Sequence, residues 1–132
     1  MNPKKKNKKK LIRLLIVDDE VGFANVLSKR LSKRGILSVQ ANSGSEAIQA
    51  LRGKDFDLAI LDLKMEDMNG IEVLKMFKKM VPEMPVIMLT GHGCEESAKE
   101  GVSIGAYDYL IKPCLLEDLI SKVNQAISGD KA

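Results

Sequence analysis

Three runs, Leu14 to Val17, Leu58 to Leu61 and Val86 to Leu89, contain no polar side chain. A strand that is apolar at successive positions has to be covered on both faces, as strands are in a parallel sheet packed between two layers of helices. Each run also stops at a polar group: Asp18-Asp19-Glu20 follows the first, Asp62 the second and Thr90 the third. Two strands that each end in acids, side by side in such a sheet, crowd three carboxylates at one rim. A cluster of that kind repels itself unless a cation sits in it.

The spacing of the other apolar residues predicts strand alternating with helix five times over. The first strand runs from Leu11 to Val17, after which Phe23, Leu27 and Leu31 recur at helical spacing from Val21 to Arg34, with Gly35 placed to cap the end. A short second strand from Ile36 to Gln40 precedes a capping box, Ser43 with Glu46, which opens a helix that turns Ala47, Ile48 and Leu51 inward and ends near Gly53. The third strand, from Asp57 to Leu61, delivers Asp62. The helix after it starts at Gly70, has Ile71, Leu74 and Phe77 on one face and ends before Pro82. A fourth strand from Val86 to Leu89 reaches the flexible loop Thr90-Gly91-His92-Gly93. The helix from Glu95 to Ile104 is weakened by Gly101, which costs about 1 kcal/mol relative to Ala. A fifth strand from Tyr107 to Ile111 ends in Lys112-Pro113, and Leu116, Leu119, Val123 and Ile127 line the last helix up to Gly129. This alternation, with short connections, gives an α/β protein with a parallel sheet and right-handed crossovers. Ligand sites in such sheets lie beyond the carboxyl ends of the strands, and every polar residue singled out follows a strand.

The length of 132 residues suits one domain, and a 45% hydrophobic share without Trp implies an aliphatic core. The net charge of +3 is uneven: six lysines fall in the first ten residues, and the remainder carries 15 basic against 18 acidic residues. The block from Lys4 to Lys10 has no apolar residue, so residues 1–10 are expected to form a disordered, solubilising tail ahead of a slightly acidic domain over 11–129, with weak, salt-sensitive attraction to an acidic polymer or membrane surface as the alternative role of the tail. No apolar stretch approaches the roughly 20 residues of a membrane span. Neither anchor nor signal peptide is therefore expected, and the protein is placed in the cytoplasm. Cys94 and Cys114 are too few and too far apart for a zinc site or a disulfide framework, and both are expected as reduced thiols. No GxGxxG or GxxxxGK(S/T) nucleotide signature is present, and one His supports neither a His-based metal site nor a Ser-His-Asp triad.

With Asp18-Asp19, Asp62, Thr90 and Lys112-Pro113 at the ends of four strands, together with Gly70, Gly105-Ala106 and Tyr109, the chain from Leu11 to Ile127 resembles the CheY-like receiver domain of bacterial two-component response regulators. The resemblance implies a flavodoxin-like fold with sheet order 2-1-3-4-5, and a protein that accepts a phosphoryl group on an aspartate from a histidine kinase or histidine phosphotransfer protein. It makes Asp62 the phosphoacceptor. Asp19 and Asp62 are implied as direct ligands of Mg²⁺, Asp18 as a ligand mainly through water, and the backbone carbonyl of Lys64 as the rest of the protein's share. Lys112 is implied to bring a cation to the phosphoryl oxygens, Thr90 a hydroxyl and Gly91 a backbone N–H, with a cis peptide before Pro113. Phosphorylation adds a charge of about −1.5 to −2. In the family Thr90 then moves toward the phosphate and Tyr109 turns inward. That reshapes the face made by the fourth helix, fifth strand and fifth helix for a downstream target, an output domain or a phosphorylation-dependent dimer. Gly22, Phe23 and Val26 occupy positions that in relatives meet the phosphodonor's helical bundle, and Phe23 equally suits the core.

Glu66 departs from the pattern, since many relatives have Pro after the position of Met65, and the loop after Asp62 is expected to be less rigid for it. Lys64 and His92 flank the path of water to a phosphoaspartate and are expected to influence its lifetime. The chain is read as a stand-alone receiver that acts by binding partners, not as an enzyme, and with no sequence-specific nucleic-acid binding of its own. The alternatives are a receiver fragment of a multidomain transcription regulator and a magnesium-dependent aspartyl phosphatase. The length leaves no room for a phosphatase cap domain, and no second acid stands two residues after Asp62. A flavodoxin-like electron carrier is disfavoured by the absence of Trp and of a phosphate-cradling loop near the first strand.

Overall fold

Alternation along each strand decides which layer of helices a side chain joins. The computed structural model describes residues 11–91 and 93–129; the lysine-rich segment 1–10 and His92, with the expectations attached to them, lie outside the described residues. In chain order the elements are β1 (Ile12–Val17), α1 (Val21–Ser32), β2 (Ile36–Ala41), α2 (Gly44–Gly53), β3 (Leu58–Leu61), α3 (Gly70–Met80), β4 (Val86–Thr90), α4 (Glu95–Ile104), β5 (Asp108–Ile111) and α5 (Leu116–Ser128). The strands are parallel throughout and ordered β2-β1-β3-β4-β5, the doubly wound flavodoxin-like arrangement that the resemblance implies.

Leu14 and Ile16 of β1, Leu58 and Ile60 of β3, and Ile87 and Leu89 of β4 pack with Leu27 and Leu31 of α1 and Leu119 and Val123 of α5. Their neighbours in sequence, Leu15, Val17, Ala59, Leu61 and Met88, pack with Leu51 of α2, Leu74 and Phe77 of α3 and Ala98 of α4. Both faces of the central strands meet helices, which is why their sequences carry no polar alternation.

Local chemistry fixes the ends of the elements. Ser43 Oγ accepts from the N–H of Glu46 at 3.1 Å, while the Glu46 carboxylate accepts from Asn42 N at 2.8 Å rather than from the cap residue itself, so the expected capping box reaches one residue further back. Helix α1 stops at Ser32, short of Arg34, and Gly35 makes the turn into β2 with φ at +79°. On α5 the buried stripe is Leu119, Val123 and Ala126; Ile127, expected inward, is 39% exposed because it lies one position off that stripe.

Two glycines are explained by close approach. At Gly101 a Cβ would lie 2.4 Å from Sδ of the buried Met88, so the residue lets α4 settle onto β4, which gives it a packing role that the expected weakening of the helix left out. At Gly70 a Cβ would lie 2.4 Å from Leu63 Cα and 2.9 Å from the Asp62 carbonyl oxygen. Its N–H donates to Leu63 O at 3.0 Å, so α3 begins hard against the backbone that leaves β3. Among the described residues no helix is long and apolar enough to cross a membrane, and both cysteines are free, half-buried thiols.

Candidate functional site

Strands β1 and β3 are neighbours where the strand order reverses, so their carboxyl ends open on one crevice. Val17 lies opposite Leu61, which sets the next residues, Asp18 and Asp62, side by side. The Asp62 N–H donates to Val17 O at 2.9 Å and that of Asp18 to Ala41 O at 3.0 Å, so the ladder continues far enough to hold both. Carboxylate oxygens of Asp18, Asp19 and Asp62 converge within 4.8 Å of one another. Asp18 is 2% and Asp62 5% exposed, while Asp19 is half-buried.

The cation comes from the far edge of the sheet. Lys112 follows β5, and its N–H donates to the carbonyl of Thr90 at 2.6 Å. Its ammonium donates to Asp18 Oδ2 at 2.9 Å and Glu20 Oε1 at 3.1 Å, stands 4.0 Å from Asp62 Oδ2, and lies 4.3 Å from the centre of the Phe23 ring. The Lys112–Pro113 peptide is cis, as the resemblance implied. Thr90 ends β4 fully buried, and its hydroxyl has no hydrogen-bond partner among the described residues. An orphaned buried hydroxyl costs about 1 to 3 kcal/mol, so its place at this rim calls for an acceptor from elsewhere. Lys64 is exposed and donates its N–H to Asp62 Oδ1 at 3.3 Å. Gly91 is half-buried, with open space where a Cβ would point. Tyr109 is half-buried on the edge strand, packed against the core shared with α2, α3 and α4.

Burial, and after it the charge of Asp18, pushes the pKa of Asp62 up to about 6 from 3.8; Asp19 adds in the same direction, against Lys112 and the Lys64 N–H. The two neighbouring acids are visible in the sequence, but desolvation is the larger cause. For Lys112, burial works against the charge, but hydrogen bonds to Asp18 and Glu20 and the fields of Asp18 and Asp62 outweigh it, so its pKa is raised. Converging, partly desolvated carboxylate oxygens are hard donors with excess negative charge, which fits a hard divalent cation such as Mg²⁺. Glu20 and Phe23 both touch Lys112, a role that reasoning from sequence missed. Glu20 continues the acidic run, but its partner is 92 residues away and no local pattern announces the pairing.

Sheet, crevice and acids together define the class: a doubly wound α/β protein with a carboxylate pocket at its switch point. The response regulator receiver domain family matches residues 14–124, and the chain belongs to that family. It is 36% identical over 117 residues to the transcriptional regulatory protein ZraR of Escherichia coli K12, covering 89% of this chain and 26% of that protein. The putative response regulator NtrX-like of Rickettsia bellii is 36% identical over 123 residues, 92% of this chain and 26% of the relative. The chain thus spans about a quarter of the length of these curated relatives. Among solved structures, a response regulator receiver domain protein from Clostridium thermocellum superposes with a TM-score of 0.87 at 33% identity, covering 90% of this chain and 96% of that one. NtrX from Brucella abortus, in complex with ADP, gives 0.87 at 31% identity over 91% of this chain and 28% of that one. Receiver domains bind Mg²⁺ in an acidic pocket and interact with histidine kinases and output domains.

Proposed function

We propose that this receiver accepts a phosphoryl group on Asp62 from a histidine kinase or histidine phosphotransfer protein, and that the change at the sheet rim alters which partner binds the face of α4, β5 and α5. The observation that carries this reading is the convergence of a 5% exposed Asp62 with Asp18 and Asp19 beside the Lys112 ammonium. An Asp62 carboxylate oxygen forms the new P–O bond while the P–N bond to the donor imidazole breaks, the electron pair leaving with the nitrogen. Asp62 has to be ionised to attack, and both Lys112 and the Lys64 N–H favour that form. Asp19, Asp62 and the Lys64 carbonyl would hold Mg²⁺ directly and Asp18 through water; once bound, the ion supplies positive charge to the acids and to the phosphoryl oxygens. Lys112 exchanges Glu20 for a phosphoryl oxygen, Thr90 donates the hydrogen bond it lacks, and the Gly91 N–H adds a further donor.

The move of Thr90 leaves space on the sheet edge into which Tyr109 turns, and that couples the site to the face that partners read. Lys64, together with His92, influences how fast water reaches the phosphoaspartate. The domain works in the cytoplasm as a switch rather than a catalyst acting on other molecules. Its output lies in a partner or in an attached region; the transcriptional regulators among its relatives favour control of transcription. Incubation with acetyl phosphate and Mg²⁺ followed by intact mass measurement tests this. One added phosphoryl group on the wild type is expected, with none after chelation or in Asp62→Asn; equal modification of the Asn variant would refute the assignment.

A further inference from the structure

The loop between β3 and α3 is tied down at two places. The Glu66 N–H donates to Asp19 Oδ2 at 3.0 Å, a bond that proline at this position could not make. The next residue, Asp67, reaches across to the start of α2, where its carboxylate accepts from Gly44 N at 2.9 Å, Ser45 N at 3.1 Å and Ser45 Oγ at 3.2 Å. Those N–H groups belong to the first turn of a helix, where they lack partners along the helix and where the dipole favours an anion. The bond from Gly44, above all, holds the Asp67 carboxyl below its usual range. Contact follows the hydrogen bonds: a Cβ on Gly44 would lie 2.8 Å from Met68 Sδ and 3.0 Å from Val73 Cγ2, so loop and helix meet as closely as a bare backbone allows.

We infer that Asp67 is a positioning residue for the phosphoacceptor site: anchored on α2, it holds the loop so that the Glu66 N–H fixes the Asp19 carboxylate in the orientation that receives Mg²⁺. The inference rests on the proposed magnesium-assisted phosphorylation, yet its effect is read first in binding. Partners that orient metal ligands are worth about tenfold or more in affinity.

The test is a calorimetric Mg²⁺ titration of wild type, Asp67→Ala, Asp67→Asn, Glu66→Pro and Glu66→Ala, with amide exchange followed in chelator at Gly44, Ser45 and Glu66. Asp67→Ala is expected to raise the Mg²⁺ Kd about tenfold and to speed exchange at Glu66 as well as at Gly44 and Ser45. Asp67→Asn, which keeps one acceptor oxygen, falls between, and Glu66→Pro loses more affinity than Glu66→Ala because only it lacks the N–H. Faster exchange confined to Gly44 and Ser45, with Kd unchanged, would reduce Asp67 to a cap of α2 and overturn the inference. Should Asp67→Ala fail to fold, the two Glu66 variants decide, and equal Kd values for them would overturn it. If the metal effects appear but no phosphoryl group is taken up, the phosphoacceptor reading falls and the loop anchor stands.

Discussion

Asp62 is held in a state that costs the resting protein stability. The pKa of Asp62 is raised from 3.8 to about 6, so between those values the folded chain binds more protons than the unfolded one, and stability falls as pH rises through that window. A shift of this size corresponds to about 3 kcal/mol at neutral pH. In chelator, Asp62→Asn is therefore expected to be the more stable protein by up to about 3 kcal/mol near pH 7, with the gain gone near pH 4, as read by urea unfolding at both. A gain that does not depend on pH would contradict burial of the charged carboxylate as its cause. Thr90→Val removes a buried hydroxyl that has no partner among the described residues while keeping the shape. It should raise resting stability by about 1 kcal/mol and slow phosphorylation by acetyl phosphate; lower stability would mean that the hydroxyl is satisfied in solution. These costs were half legible in the sequence. The acids at two strand ends announce their own repulsion, but the burial that dominates Asp62 depends on the whole sheet, and an orphaned hydroxyl depends on what lies opposite it.

Elements were legible wherever a single pattern ran through them. The apolar runs of β1, β3 and β4 and the stripe of α3 required nothing from distant parts of the chain. The β3–α3 loop was the least legible, because its anchors, Asp67 to α2 and Glu66 to Asp19, join residues 22 and 47 positions apart. From sequence Glu66 suggested a looser loop, whereas the structure gives its N–H a partner that a proline could not serve. Gly70 belongs to the same packing. Gly70→Ala would drive a Cβ into the Leu63 backbone, and chemical denaturation is expected to register a loss of about 2 to 3 kcal/mol; a loss below about 0.5 kcal/mol would mean that the loop yields easily. On α1, Val26 is 53% exposed, and Phe23 is half-buried beneath Lys112, a compromise between core and contact surface. Val26→Glu should slow phosphoryl transfer from a histidine kinase and leave the rate with acetyl phosphate near wild type; equal slowing with both donors would argue against α1 as the docking surface.

At the scale of the whole molecule, strand order converts a linear pattern into a site. Residues 18, 62, 90 and 112 are far apart in sequence, and a parallel sheet ordered 2-1-3-4-5 brings the strand ends that precede them to one rim. That each of these residues ends a strand followed from the sequence pattern, while the order that gathers the strand ends was implied by the family resemblance alone. The wiring of Lys112 to Asp18 and Glu20 rather than directly to Asp62 emerges only from the assembled fold. On the proposed reading, Asp62 becomes a mixed anhydride with phosphate. Borohydride reduces an acyl phosphate to an alcohol, so treating the protein with acetyl phosphate and Mg²⁺, reducing it and mapping its peptides by mass spectrometry reads the modified residue directly. Conversion at Asp62, abolished by chelator, is the predicted result; conversion at another carboxylate, or at none while the protein is folded and magnesium-loaded, would contradict Asp62 as the phosphoacceptor.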